Sequence, residues 1–164
     1  MQIALWNPGE WEWDATPYQR WLADHGAELP DGARAFMTHP AHYDYSAFRT
    51  PDSDLPPGTG LCTKDLLLRD VQLDPGEIVR LELRFLFPGF ELVEVPTYDL
   101  VLRYEAVERF ELGHERDGPH RAPSALSHLI IDEAVPTGTG IIHEIGFAHG
   151  HVTVESADVE ATWR

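Results

Sequence analysis

Alternation of apolar and polar residues dominates the chain from Leu61 onward. The clearest run is residues 78–87, IVRLELRFLF, whose apolar residues share one face: Val79, Leu81, Leu83, Phe85 and Phe87. Shorter runs follow at residues 91–95, 98–104 and 106–112 with short breaks between them, and residues 129–135 form a further apolar segment. A two-residue period between turn signals is typical of half-buried strands. These runs predict an antiparallel sheet folded on itself.

The last apolar stretch, residues 141–163, extends the same pattern. Its alternating apolar residues are Ile141, Ile145, Phe147, Val152, Val154, Val159, Ala161 and Trp163. This period predicts a closing β-hairpin tipped by Gly150, which completes the sheet and keeps its histidines near the surface.

Helical signals are confined to the first 40 residues. Thr16 is placed to cap a helix, Pro17 suits its first turn, and Gly26 follows its last turn. Residues 31–37 predict one or two further helical turns. The expected fold is therefore α+β and β-rich: a mainly antiparallel sandwich or partly closed barrel with one or two short N-terminal helices.

The length of the chain and the positions of its turn-forming residues indicate its domain organisation. A chain of 164 residues with 43% hydrophobic residues fits one domain with a sizeable core. Residues 38–60 are rich in Pro, Asp and Ser, which places an internal seam near residues 50–60. We predict a single domain over 1–164, with an aromatic and acidic subregion at 1–60 and a β-sheet core at 61–164.

The net charge of the chain narrows the class of partner that it is expected to bind. The formal charge is −16, from 28 acidic against 12 basic residues. This field repels nucleic-acid phosphates and anionic lipids and favours a basic protein partner, although acidity also serves solubility alone. Cys62 is the only cysteine, and no signal peptide or membrane-spanning run is recognisable. We therefore expect a cytoplasmic, soluble protein that binds neither nucleic acid nor membrane and needs no cofactor.

A group of histidines near the end of the chain raises the alternative of a metal site. His143, His149, His151 and Glu155 supply the ligand types, and His149 with His151 and Glu155 matches the core of the cupin metal motif. On a strand, however, His143 and His149 lie about 20 Å apart at about 3.3 Å per residue. A cupin-like, histidine-dependent metalloenzyme therefore stays an alternative, and so does a β domain that binds a small ligand.

Two aromatic and acidic clusters are the predicted partner contact. The first cluster is Glu10, Trp11, Glu12, Trp13 and Asp14; the second is Tyr43, Asp44 and Tyr45. Aromatic anchors beside carboxylates suit an interface with Arg and Lys side chains. The alternative is that these rings belong to the core, as large aromatic residues commonly do.

Residues 61–155 carry a resemblance to a family. The pattern L-x-x-x-D at residues 61–65, the LELRF run at 81–85 and I-x-H-E-I…F…G-x-V-x-V-E at 141–155 resemble small β-rich bacterial immunity proteins of polymorphic toxin systems. Many of those proteins have His-Asp where this chain has Lys64-Asp65. The resemblance implies a cytoplasmic inhibitor, without catalysis of its own, that binds and neutralises a cognate basic toxin domain.

Overall fold

The structure is a computed structural model, and it describes residues 3–7, 12–43, 63–64, 66–86, 99–114, 129–147 and 150–163. The seam predicted near residues 50–60 and the strand predicted at 91–95 lie outside these residues.

Two short helices and a series of strands make up the described chain. Helix α1 is Thr16–His25, a 3-10 turn follows at Gly26–Glu28, and helix α2 is Asp31–Met37. The strands are β1 (Leu5–Asn7), β2 (Glu12–Asp14), β3 (Leu67–Asp74), β4 (Arg80–Leu86), β5 (Asp99–Glu105), β6 (Arg109–His114), β7 (Leu129–Pro136), β8 (Ile141–Phe147), β9 (Gly150–Ser156) and β10 (Asp158–Trp163).

The described strands form two four-stranded antiparallel sheets and one small pair. The first sheet has the order β10-β5-β4-β3, the second has the order β6-β9-β8-β7, and β1 pairs with β2. The prediction of a mainly antiparallel fold with short N-terminal helices is confirmed. The two sheets are not closed into a barrel.

The hydrophobic core lies between the two sheets. Alternation in β4 buries Leu81, Leu83 and Phe85 and leaves the residues between them partly exposed. The ring of Phe85 stacks on Phe147 of β8 at 6.4 Å between ring centroids. Packing of two inner faces that each alternate with polar outward positions is the arrangement of a β-sandwich.

The closing stretch differs from the predicted hairpin. Strands β8 and β9 pair in the second sheet, but β10 leaves that sheet and pairs with β5 in the first. The chain turns the corner at Ala157, whose N–H donates to Glu105 O at 3.0 Å. The prediction of one strand pair was wrong. The buried apolar residues have even numbers in β9 and odd numbers in β10, and this shift marks the change of sheet.

Helix α1 begins as its sequence signals indicate, with one difference. Pro17 lies in the first turn, but the N-cap position is Ala15, so the prediction that Thr16 caps the helix was wrong. The Asp14 carboxylate accepts a hydrogen bond from the Thr16 N–H at 2.8 Å. The hydrogen bonds with Thr16 hold the pKa of Asp14 below its usual value.

Tyrosine hydroxyls cover the outer edge of β7, the last strand of the second sheet. Tyr18 of α1 donates to Ala134 O at 2.6 Å and accepts from Ala134 N–H at 2.8 Å. Tyr43 donates to Asp132 O at 2.7 Å. An edge strand otherwise presents unpaired backbone groups, so these bonds fasten the N-terminal region to the sandwich and seal the edge.

Asp158 joins α2 to the start of β10. Its carboxylate accepts hydrogen bonds from Gly32 N–H at 3.0 Å and from Ala33 N–H at 2.8 Å, at the beginning of the helix. Gly32 is required at this contact because a Cβ there would lie 2.3 Å from Val159 O. The helix therefore lies directly against the strand.

We expect Asp158→Asn to lower the free energy of unfolding by about 1–2 kcal/mol, since the helix start loses its charged acceptor. Urea unfolding followed by tryptophan fluorescence measures the change. Glu160→Gln, two positions along the same strand, is the matched control and should cost less than about 0.5 kcal/mol. Equal effects of the two substitutions would contradict the capping role of Asp158.

Candidate functional site

A groove of about 610 Å3 crosses the outer face of the first sheet. The strand register aligns two rows of side chains along it, one residue from each of the four strands. One row is Gln72, Glu82, Arg103 and Glu160; the other is Asp74, Arg80, Glu105 and Asp158. Both rows lie on the solvent side, because the residues between them, such as Leu81, Tyr104 and Val159, are buried.

The groove carries a surplus of negative charge. Five carboxylates face two guanidinium groups, so its formal charge is −3. Arg103 donates to Glu82 at 2.8 Å, Arg84 donates to the other oxygen of Glu82 at 2.6 Å, and Arg80 lies 3.6 Å from Glu105. The hydrogen bond from Arg84, aided by Arg103, holds the pKa of Glu82 below its usual value.

Two carboxylates are left for an external cation at opposite ends of the groove. Asp74 and Glu160 are exposed, and neither makes an ion pair within the described part of the chain. They are separated by three strand-to-strand steps of about 4.8 Å each and by two residues of about 3.3 Å each along the strands, so by roughly 16 Å. That separation suits an extended chain with more than one basic side chain better than a single small ion.

A second group of polar residues is buried between the sheets. Asp132 of β7 accepts from His42 Nε2 at 3.0 Å, from the Thr63 hydroxyl at 3.1 Å and from His143 Nε2 at 3.3 Å. Tyr104 contacts His143 Nδ1 through its hydroxyl at 2.8 Å. Each of these side chains is at most 2% exposed. A carboxylate this deep is retained only when it is well hydrogen-bonded.

The hydrogen bonds of this network fix its proton positions. Burial by itself would raise the pKa of Asp132, but His42 and His143 outweigh it and hold that pKa well below its usual value. Burial, with the nearby Asp132, raises the pKa of Tyr104 well above its usual value, so its O–H stays a donor. With the Tyr104 hydroxyl donating to His143 Nδ1, the His143 Nε2–H donates to Asp132.

Sequence reasoning missed this network, although one signal pointed to it. Residues 129–135 form an apolar segment, yet Asp132 and Glu133 stand in the middle of it. Acidic residues inside a buried strand require partners. For Glu133 these include the N–H groups of Ile3 and Ala4, at 3.2 and 2.8 Å from its carboxylate.

The residues of the alternative metal site do not meet. His143 is fully buried with both ring nitrogens engaged, so the prediction that it lies near the surface was wrong. His151 points to the opposite, exposed side of the sheet, and Glu155 lies about 13 Å along the same strand at about 3.3 Å per residue. His149 lies outside the described residues. Among those described, no group of three or more His, Cys, Asp or Glu side chains is arranged to hold a metal ion.

The predicted partner contact is only partly described. Asp14 is exposed and Tyr43 is a core residue whose ring lies 4.4 Å from that of His42. Tyr43 therefore serves the fold rather than the surface. Glu12 and Trp13 belong to β2, and Glu10, Trp11, Asp44 and Tyr45 lie outside the described residues.

Comparison with known proteins adds no relative: no family model, no curated protein and no solved structure matches this chain. In the part of the chain that the structure describes, no helix is long and apolar enough to cross a membrane.

Proposed function

We propose that this protein binds a basic partner protein through the acidic groove and acts as an inhibitor of the immunity type. The observation that carries the proposal is the groove itself, with five carboxylates against two arginines on a chain of net charge −16. Such a field attracts a basic surface and orients it before contact.

The character of the groove favours a polypeptide over a metabolite. Its volume falls in the range of small-molecule pockets, but those are lined mainly by apolar and aromatic side chains. Here the two rows on the solvent side are charged in all but Gln72. Carboxylates spaced along a sheet suit the arginine and lysine side chains of an extended segment.

The buried network supports the fold in this proposal and takes no part in chemistry. His42, Asp132 and His143 are the residue types that catalysis uses, but each is at most 1% exposed. The resemblance of residues 61–155 to immunity proteins gives the partner its class, a basic toxin domain. Inhibition then consists of covering the basic surface that the toxin uses for its own substrate.

A pair of matched double variants tests the groove. The probe is an extended peptide of alternating arginine and glycine, titrated calorimetrically at low salt. We expect Asp74→Asn with Glu105→Gln to weaken binding about threefold to tenfold, at up to about 1 kcal/mol for each exposed charge. Added salt should weaken binding to the wild-type protein, because these charges are exposed.

The control removes the same two charges elsewhere. Asp24→Asn with Glu111→Gln changes one exposed Asp and one exposed Glu, neither of which lines the groove. This variant should bind the peptide within about twofold of wild type. If both double variants weaken binding equally, the attraction belongs to the whole acidic surface, and the groove is not the binding site.

A further inference from the structure

A small cavity of about 180 Å3 lies between α2 and β10. The residues that define its chemistry are Ala35, Phe36, His39, His42, Glu160 and Trp163. Glu160 also lines the acidic groove, so the cavity and the groove meet at that carboxylate. The cavity is smaller than the roughly 300–1,000 Å3 of pockets for drug-sized ligands, and its size suits a single side chain.

His42 lines this cavity and carries an unsatisfied polar atom. The residue is 1% exposed, and its Nε2 is engaged by Asp132. Its Nδ1 is buried and has no hydrogen-bond partner among the described residues. Buried polar atoms in proteins are normally hydrogen-bonded, so a ligand that donates to this nitrogen supplies the missing bond.

The surroundings of His42 define the chemistry of this ligand. In neutral His42 the Asp132 carboxylate keeps the proton on Nε2, which leaves Nδ1 as an acceptor for an N–H donor. Trp163 and Phe36 supply aromatic walls, on which guanidinium groups stack. Glu160 places a carboxylate at the rim. A planar cation with several N–H donors meets all three conditions, whereas an anion is repelled by Glu160 and by the groove.

We propose that this cavity, which we call the arginine pocket, receives one arginine side chain of the basic partner. The inference rests on the proposed function and adds a specific anchor to it. The guanidinium group donates to His42 Nδ1, packs on Trp163 and pairs with Glu160. The partner segment then continues from Glu160 into the groove.

The test uses a capped arginine, N-acetyl-arginine N-methylamide, as the probe. Its neutral isostere, the capped citrulline, is the comparison. Nitrogen-15 NMR of the histidine side chains reports on His42 Nδ1 directly. We expect saturable shifts of that resonance and of the Trp163 indole with the arginine probe, and at least tenfold weaker binding of the citrulline probe.

Substitutions at two exposed alanines distinguish binding in the pocket from general electrostatic attraction to the acidic surface. Ala35→Leu fills the cavity without changing charge and should weaken binding of the capped arginine at least tenfold. Ala23→Leu, at an exposed position of α1, is the matched control and should leave binding unchanged. Glu160→Gln should weaken binding about twofold to fivefold.

The proposal of an arginine pocket is contradicted if Ala35→Leu binds the arginine probe as wild type does, if the citrulline probe binds equally well, or if the His42 Nδ1 resonance does not shift. These outcomes are independent of the groove test, in which Asp74 and Glu105 are changed and Glu160 is left intact. Loss of peptide binding in that double variant together with an unresponsive His42 would therefore contradict the proposed arginine pocket and support the proposed groove.

Discussion

Asp132→Ala is expected to lower the free energy of unfolding by about 3–5 kcal/mol, because the substitution leaves His42, His143 and Thr63 without their shared acceptor in the core. This is a large part of the 5–15 kcal/mol that stabilises an ordinary domain. Asp132→Asn keeps the shape and one acceptor oxygen, so we expect a smaller loss of about 2 kcal/mol. Urea unfolding of both variants measures the difference. A loss below about 1 kcal/mol in Asp132→Ala would contradict the role assigned to the network.

The same residue gives a pH dependence with a definite sign. The folded-state pKa of Asp132 is depressed, so its stabilisation is present above the pKa of an unfolded Asp, about 3.9, and is lost as the pH falls toward the folded value. We expect the stability difference between wild type and Asp132→Asn to hold at pH 5 and to narrow below about pH 4. A difference that stays constant down to pH 3 would mean that Asp132 is not the ionised centre of the network.

Tyr18→Phe is expected to cost about 2–4 kcal/mol, because one hydroxyl serves both the N–H and the C=O of Ala134 and its loss leaves two buried backbone groups unpaired. Hydrogen exchange provides a local readout. The Ala134 amide should exchange faster relative to the other amides of β7 than it does in wild type.

Tyr43→Phe is the matched control for Tyr18→Phe. Its hydroxyl donates to one carbonyl, Asp132 O, and we expect a smaller cost of about 1–2 kcal/mol without selective exposure of the Ala134 amide. If Ala134 stays as protected in Tyr18→Phe as in wild type, the hydroxyl of Tyr18 does not seal the edge of β7, and the N-terminal region is held to the sandwich by apolar packing alone.

The groove and the arginine pocket give Glu160 a place in two sites. It stands at the β10 end of the groove and at the rim of the cavity beside His42. In the proposed mode of binding, a basic segment contacts the sheet that β10 completes and the helix that packs against it. The proposal therefore gives β10, the last described strand, a direct part in recognition.

The local pattern of apolar and polar residues predicts much of the architecture. Period-two alternation placed β4 and identified its buried face, because a strand turns successive side chains to opposite sides of a sheet. Pro17 and Gly26 bounded α1 closely, because their backbone preferences act within a few residues. Composition gave the acidic character of the surface. Each of these depends on neighbours in the sequence.

The candidate sites depend on residues that are far apart in the sequence and that the fold brings together. His42 and Asp132 are 90 residues apart, and the residues of the groove come from four strands between positions 72 and 160. No local period specifies which strands pair, which sheet β10 joins or which carboxylate a histidine meets. Most of the strands, the two helices and the sign of the charge can be predicted from the sequence, because these follow from side-chain alternation and composition. The tertiary structure alone decided the buried network, the groove and the arginine pocket, because strand order and register bring their residues together.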